Sequence, residues 1–217
     1  MSAGAGSCGC EVRFQGLTRD YKARLWAVIA LNASMFAVEM GGGVMAGSQA
    51  LQADALDFLG DTLTYGISLA VIGLSLRVRA TAALVKAATL ALMGLWVLGS
   101  TIWHAFVLGT PRAEVMGTIG FLALSVNVAS VLILIKYKDG DANVRSVWLC
   151  SRNDAIGNVA VMLAALGVWG TATGWPDVIV AAILASLFLN SASKILRQAL
   201  SEWRLTRKAF GEGVVAT

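Results

Sequence analysis

Residues 51–66 read LQADALDFLGDTLTYG, an apolar helix-forming run that carries aspartates at 54, 57 and 61. What kind of helix this is depends on the chain around it. Of 217 residues, 57% are hydrophobic and only 14% charged, and the mean hydropathy is +0.72. Soluble chains lie nearer ~45–50% apolar and ~25% charged. A compact soluble domain of this length could not cover so much apolar surface, so a large part of the chain must face lipid. Disordered, collagen-like, disulfide-stapled and nucleic-acid-binding classes are excluded with it. The three cysteines, Cys8, Cys10 and Cys150, are an odd number and imply no complete disulfide framework.

Working outward from that run, a spanning helix needs ~20 mostly apolar residues. Six such runs are expected: about Leu25–Ala46, Gln49–Leu76, Ala87–Gly109, Val115–Ile135, Ser146–Gly170 and Pro176–Leu196. Gly47-Ser48, Thr110-Pro111-Arg112 and Thr171–Trp175 are tight turns, whereas Arg77–Thr81 and Lys136–Asn143 are polar links. The fold class expected is therefore an all-α polytopic membrane protein with six transmembrane helices. Its organisation reads as an N-terminal tail (1–24), a six-helix transmembrane domain (25–200) and a short C-terminal tail (201–217). The N-terminal stretch lacks an apolar core and cleavage site, so it reads as a tail rather than a signal peptide.

Charge tests the helix count. With the N-terminus inside, six crossings return the C-terminus inside. Arg13, Arg19, Lys22, Arg24, Arg77, Arg79, Lys86, Lys136, Lys138, Arg145, Lys194, Arg197, Arg204, Arg207 and Lys208 then fall on the inner side. Only Arg112 falls outside, and Arg152 sits within the start of the fifth span. The positive-inside rule strongly favours this partition and cytoplasmic termini. The basic pI of 9.2 thus reports topology rather than a nucleic-acid ligand. The only histidine, His104, lies beside Trp103 at an outer helix end, where an interfacial anchor is the expected role. The C-terminal tail is expected to form a basic helical extension on the membrane surface.

Glu39, Asp54, Asp57, Asp61 and Asp154 lie within apolar spans. A charged side chain costs about 2.5–3.5 kcal/mol at the centre of such a span. Several together imply a water-filled path, a bound cation or protonation. Asp57 and Asp61 are one turn apart on one helix face, and Asp54 joins that stripe. Two carboxylates this close repel, so they share a proton or bridge a cation. The fifth helix repeats the spacing, with Cys150 and Asp154 also four apart. Facing each other, these two helices could offer three carboxylates and one thiolate, a tetrahedral set suited to zinc and usable by cadmium. Two readings of Cys150 stay open: ligand, or spectator with water or Asn158 completing the shell. Asp177 begins the sixth helix and suits a cap at that helix's N-terminal dipole. Cys8 and Cys10 form a CxC that could hold a thiophilic ion weakly.

These runs resemble the cation diffusion facilitator family. The likeness rests on GSQALQADALDFLGD (residues 47–61), on NVRSVWLCSRNDAIGN (143–158), and on Asn32, Glu39, Gly42 and Asn127. It covers nearly all six helices. It implies a proton-coupled exporter of Zn(II) and related ions (Cd(II), Co(II) or Fe(II)) in the bacterial inner membrane, without an organic cofactor. It places the transport site at Asp57, Asp61, Cys150 and Asp154. Asp54, Glu39, Asn32, Asn127 and Asn158 stand beside it as supporting or proton-path residues. Three departures stand out. Cys150 replaces the usual histidine or aspartate, and a thiolate favours Cd(II) or Zn(II) over Mn(II). Arg152 is unusual near a cation site, and its spacing turns it towards another helix or the inner surface. The cytoplasmic domain that usually follows the sixth helix is expected to be absent, so any homodimer must form through membrane helices, where Gly41-Gly42-Gly43 permits close packing.

A faint internal echo supports transport. Asn32 precedes Asp61 by 29 residues and Asn127 precedes Asp154 by 27, as an inverted repeat of three helices would place them. Metal/proton antiport is the reading these features favour. The rivals are a passive divalent-metal channel or uptake pore and a non-transporting membrane metal sensor. No nucleophile–base pair suggests an enzyme.

Overall fold

The computed structural model describes residues 19–70, 76–107, 109–137 and 142–213. They form six α-helices: α1 (Arg19–Ala46), α2 (Gln49–Ala70), α3 (Leu76–Phe106), α4 (Ala113–Leu134), α5 (Ala142–Thr171) and α6 (Trp175–Gly213). A short 3₁₀ turn at Ile135–Tyr137 follows α4. Five of the six, all but α2, are long and apolar enough to cross a bilayer. The exception is α2, whose three aspartates lower its hydropathy. It does not need a lipid-facing surface, because its residues 49–56 are buried on every side by the other helices.

Three tight turns gather at one end of the bundle, as six crossings require. Between α1 and α2, Gly47 adopts φ 68°, the left-handed conformation that glycine tolerates. Ser48 N–H then donates to Gly43 O (2.9 Å) and Gly47 N–H to Val44 O (3.2 Å), the paired bonds of a Schellman stop. Ser48 Oγ next accepts from Leu51 N–H at 3.1 Å, capping α2. The α3–α4 turn docks beside it: Arg112 N–H donates to Ala46 O (3.0 Å) and its guanidinium to Met45 O (2.6 Å). The lone outer arginine therefore serves the carbonyl end of α1. The α5–α6 turn completes the group, with Gly174 so close to Gly109 O that a β-carbon would sit 2.7 Å away.

Asp177 ties these turns together in a way the sequence did not suggest. It caps α2 rather than its own helix. Its carboxylate accepts from Ser48 Oγ (2.6 Å), Gln49 N–H (2.7 Å) and Ala50 N–H (3.0 Å). Those amides are the unsatisfied donors of the first turn of α2.

At the opposite end the basic residues collect. Arg24 donates to Ile133 O (3.1 Å) and pairs with Asp20, which Lys136 also approaches at 3.7 Å. Aromatic residues near the turns, among them Trp103, Phe106, Trp169 and Trp175, are exposed, as expected at a membrane interface.

Close packing relies on glycine at several places. A β-carbon on Gly43 would meet Gln52 Cγ at 2.9 Å, and one on Gly94 would meet Leu189 Cδ2 at 2.7 Å. Gly42 likewise has the Ile119 side chain where its β-carbon would stand. Gly42 and Gly43 are thus spent on contacts within the chain, and only Gly41 of that run stays open to a second copy.

Two boundaries depart from expectation. The Arg77–Thr81 link is helical, because RVRAT contains no glycine or proline to stop α3 once it leaves the apolar region. Nor does the sixth helix end near Leu196. It continues unbroken for 39 residues to Gly213, about 58 Å at ~1.5 Å per residue, so the tail prolongs α6 rather than forming a separate surface helix. The Cys8–Cys10 pair lies outside the described residues.

Candidate metal centre

The aspartate stripe of α2 faces α5 as its spacing implies. Asp61 and Asp154 come together, their carboxyl groups adjacent across the two helices. Asn32 of α1 supports the pair, with Nδ2 donating to Asp61 Oδ2 at 3.3 Å. The Tyr65 hydroxyl lies beside the same carboxylate. Asp57 stands one turn nearer the turns. Asp57, Asp61 and Asp154 are all half-buried in the crevice they line.

The full tetrahedral set is not gathered. Among the described residues, no three His, Cys, Asp or Glu side chains converge closely enough to hold an ion. Cys150 lies on α5, but its side chain is outside the described ones, as are those of residues 142–149. Asp61 and Asp154 are therefore the members seen together, and Asp57 lies within charge range of Asp61.

Between this crevice and the turns lies a second polar layer, sealed from solvent. Asn127 of α4 donates through Nδ2 to Asn158 Oδ1 at 2.9 Å. Asn158 of α5 in turn donates to Asp54 Oδ2 at 2.5 Å. Glu39 of α1 stands beside Asp54, completely buried, and neither of its carboxyl oxygens has a hydrogen-bond partner. Hydrogen bonds thus join α4, α5 and α2, with Glu39 of α1 packed beside them. Gly157 makes room for it, since a β-carbon there would press on Asp54 Oδ1 at 3.3 Å.

Two sequence expectations change here. Asn158 is engaged on both sides of its amide within the sealed layer, so it does not reach into the crevice to complete a metal shell. The inverted echo holds for one half only: Asn32 bonds Asp61, but Asn127 bonds Asn158 instead of Asp154. The asparagine side chain reaches whichever partner the helix rotation brings opposite, and sequence separation does not fix that rotation.

Residues 25–202 match the cation efflux transmembrane domain, which spans all six helices and both polar layers. The chain belongs to the cation efflux family. It is an integral membrane protein of the kind that bacteria place in the inner membrane. The zinc transporter ZitB of Yersinia pestis is 31% identical over 198 residues, covering 82% of this chain and 62% of that protein. ZitB of Escherichia coli K12 is 29% identical, over 82% of this chain and 61% of its own length. A cadmium, cobalt and zinc/H(+)-K(+) antiporter of Bacillus subtilis is 26% identical, over 75% and 57%. This cation efflux chain spans about three fifths of the length of the curated relatives it matches.

One residue near the site of this efflux-family chain escaped the sequence reading. Lys86, counted with the inner surface, is instead buried on α3 at 9% exposure, and Nζ donates to Thr64 Oγ1 at 3.2 Å. The signal was present: Lys86 sits alone in ATAALVKAATLAL (residues 80–92), too deep in an apolar run for the surface. Arg152, by contrast, is exposed and turned away from the crevice, donating to Asn153 Oδ1 at 3.4 Å. His104 hydrogen-bonds Ser100 O at 2.8 Å through Nδ1, at the turn end of α3.

Proposed function

We propose that this protein is a secondary transporter that exports divalent transition-metal ions, Zn(II) and with it Cd(II), from the cytoplasm in exchange for protons. The observation that carries the reading is the meeting of Asp61 and Asp154 from different helices in a half-buried crevice inside a membrane bundle. Two carboxylates kept in contact away from bulk water gain little structurally. A passing divalent cation supplies the compensation they lack. The names of the similar zinc transporters and of the cadmium, cobalt and zinc antiporter point to the same cargo.

In this reading the ligand set is Asp57, Asp61, Asp154 and the Cys150 thiolate. Metal binding displaces protons from them, because thiolate and carboxylate must be ionised to coordinate. Metal enters from the basic end, which the distribution of lysine and arginine assigns to the cytoplasm together with both termini. The Glu39–Asp54–Asn158–Asn127 layer closes the path towards the turns. Rocking of helix pairs opens that layer, external protons compete for the carboxylates, and the ion leaves. Zn(II) is cargo here, not a resident cofactor.

Flux into proteoliposomes tests the proposal, with Zn(II), Cd(II), Co(II), Fe(II) and Mn(II) offered under an imposed pH gradient. Zinc flux that rises with the opposing proton gradient is expected. Flux indifferent to the gradient would indicate a passive channel, and no metal binding at all would indicate a non-transporting subunit.

A further inference from the structure

Lys86 is the only Lys, Arg, Asp or Glu in the apolar span Thr81–Phe106. Among the described residues its ammonium has one hydrogen-bond partner, the neutral hydroxyl of Thr64. That hydroxyl is itself fixed, donating to Gly60 O at 2.6 Å. Thr64 lies three residues beyond Asp61 on the same face of α2, so the ammonium it holds sits on the side of the helix that carries the Asp61 carboxylate. The lysine charge is close enough to act on that carboxylate. A buried ammonium held by a neutral group is poorly compensated, and so is a carboxylate pair without a cation. A lysine stem of four methylenes is flexible enough to move between the two.

We propose that Lys86 is a tethered cation that covers Asp61 when the metal ion has left and retreats to Thr64 when it arrives. The proposal rests on the transporter reading. It assigns Lys86 the return half of the cycle, in which a site emptied of metal must change its access without stranded charge. It makes Lys86 a competitor of the metal, and that competition has a sign. Removing the charge tightens metal binding and slows release, whereas a purely structural lysine would leave binding unchanged or weaken it.

The test uses the purified full chain, with Zn(II) affinity measured by calorimetry in detergent and Zn(II) flux in proteoliposomes. Lys86→Met is expected to bind zinc about tenfold more tightly and to turn over several-fold more slowly, as removal of one like charge at this range implies. Lys86→Arg, which keeps the charge, is expected to remain within about twofold of wild type. Unchanged or weaker affinity in a Lys86→Met protein of wild-type Tm overturns the proposal. Should Lys86→Met fail to fold, Thr64→Val decides. Freed from the hydroxyl, the lysine spends longer on Asp61, and zinc should bind about two- to threefold more weakly. Unchanged or tighter binding in Thr64→Val overturns the proposal equally. A wild-type chain that binds no zinc overturns the transport reading itself, and this one with it.

Discussion

Asp54 and Asp57 are separated by less than one turn of the same helix, yet they belong to different parts of the molecule. Asp57, with Asp61 and Asp154, lines a crevice and is only half-buried. Asp54, at 1% exposure, is enclosed with Glu39, Asn127 and Asn158. In the crevice the carboxyl groups face one another across α2 and α5, with Asn32 and Lys86 nearby. In the sealed layer Asn127, Asn158 and Asp54 are hydrogen-bonded in series across three helices, and Glu39 lies beside them without a partner. Aspartate thus meets aspartate in one layer and is held by an asparagine amide in the other. Undercompensated groups suit a transient cation, and connected ones suit a joint that holds helices in register.

The strongest way to break this distinction is to remove a crevice carboxylate. Asp61→Ala or Asp154→Ala should reduce zinc flux in proteoliposomes by about 100-fold or more, to the level of empty vesicles. Thermal stability should be unchanged or slightly raised, since a repelling charge has been deleted. Full flux in either variant would remove the crevice from the mechanism.

The converse experiment is on the sealed layer. Asp54→Ala leaves the Asn158 amide without its acceptor, a loss of about 1–3 kcal/mol for a buried polar group. The bundle should melt several degrees lower, while the variant that remains folded still binds zinc in the crevice. Asp54→Asn sharpens the contrast. If it folds as wild type but transports without proton dependence, the layer also carries protons, and the two regions are linked in function as well as in space.

How much of this contrast was legible in the sequence follows from which forces act locally. The helix period alone put Asp57 and Asp61 on one face, and the cost of a carboxylate in an apolar run marked all five acids as unusual. Lysine and arginine placement gave the crossing number, and the three turns meeting at one end agree with it. Contacts between distant helices were less accessible. Asp177 caps the first turn of α2 from a position 128 residues away, and no local pattern distinguishes that from a cap on its own helix. Lys86 was misplaced for a related reason. Counting charges by segment treats a lysine near a helix end as interfacial, whereas its depth depends on how far α3 extends below it. Because α3 begins at Leu76, Lys86 lies two to three turns in.

Smaller effects should follow where the frame of the crevice is altered rather than its acids. Asp177→Ala removes three hydrogen bonds from the start of α2 and should cost about 1–3 kcal/mol in thermal or denaturant unfolding. Gly43→Ala should cost a similar amount or somewhat less. Its methyl would displace Gln52 Cγ, 2.9 Å from the β-carbon position, and part α1 from α2. Both changes leave every crevice carboxylate in place. A loss of flux greater than the loss of folded protein would therefore show that the turn end moves during transport.

The smallest expected effect concerns Cys150 and bears on selectivity more than rate. A thiolate is a softer donor than imidazole, so it favours Cd(II) relative to harder ions. Cys150→His keeps a metal-binding side chain at that position and exchanges a soft donor for a harder one. Total zinc flux should change by less than about threefold, while the ratio of Cd(II) to Zn(II) transport falls by several-fold. An unchanged ratio would leave Cys150 as a small apolar residue on α5 and hand the fourth position to water. The comparison between layers would then narrow to carboxylates alone: two helices offering oxygen donors in the crevice, and one carboxylate held by an asparagine amide about a turn above.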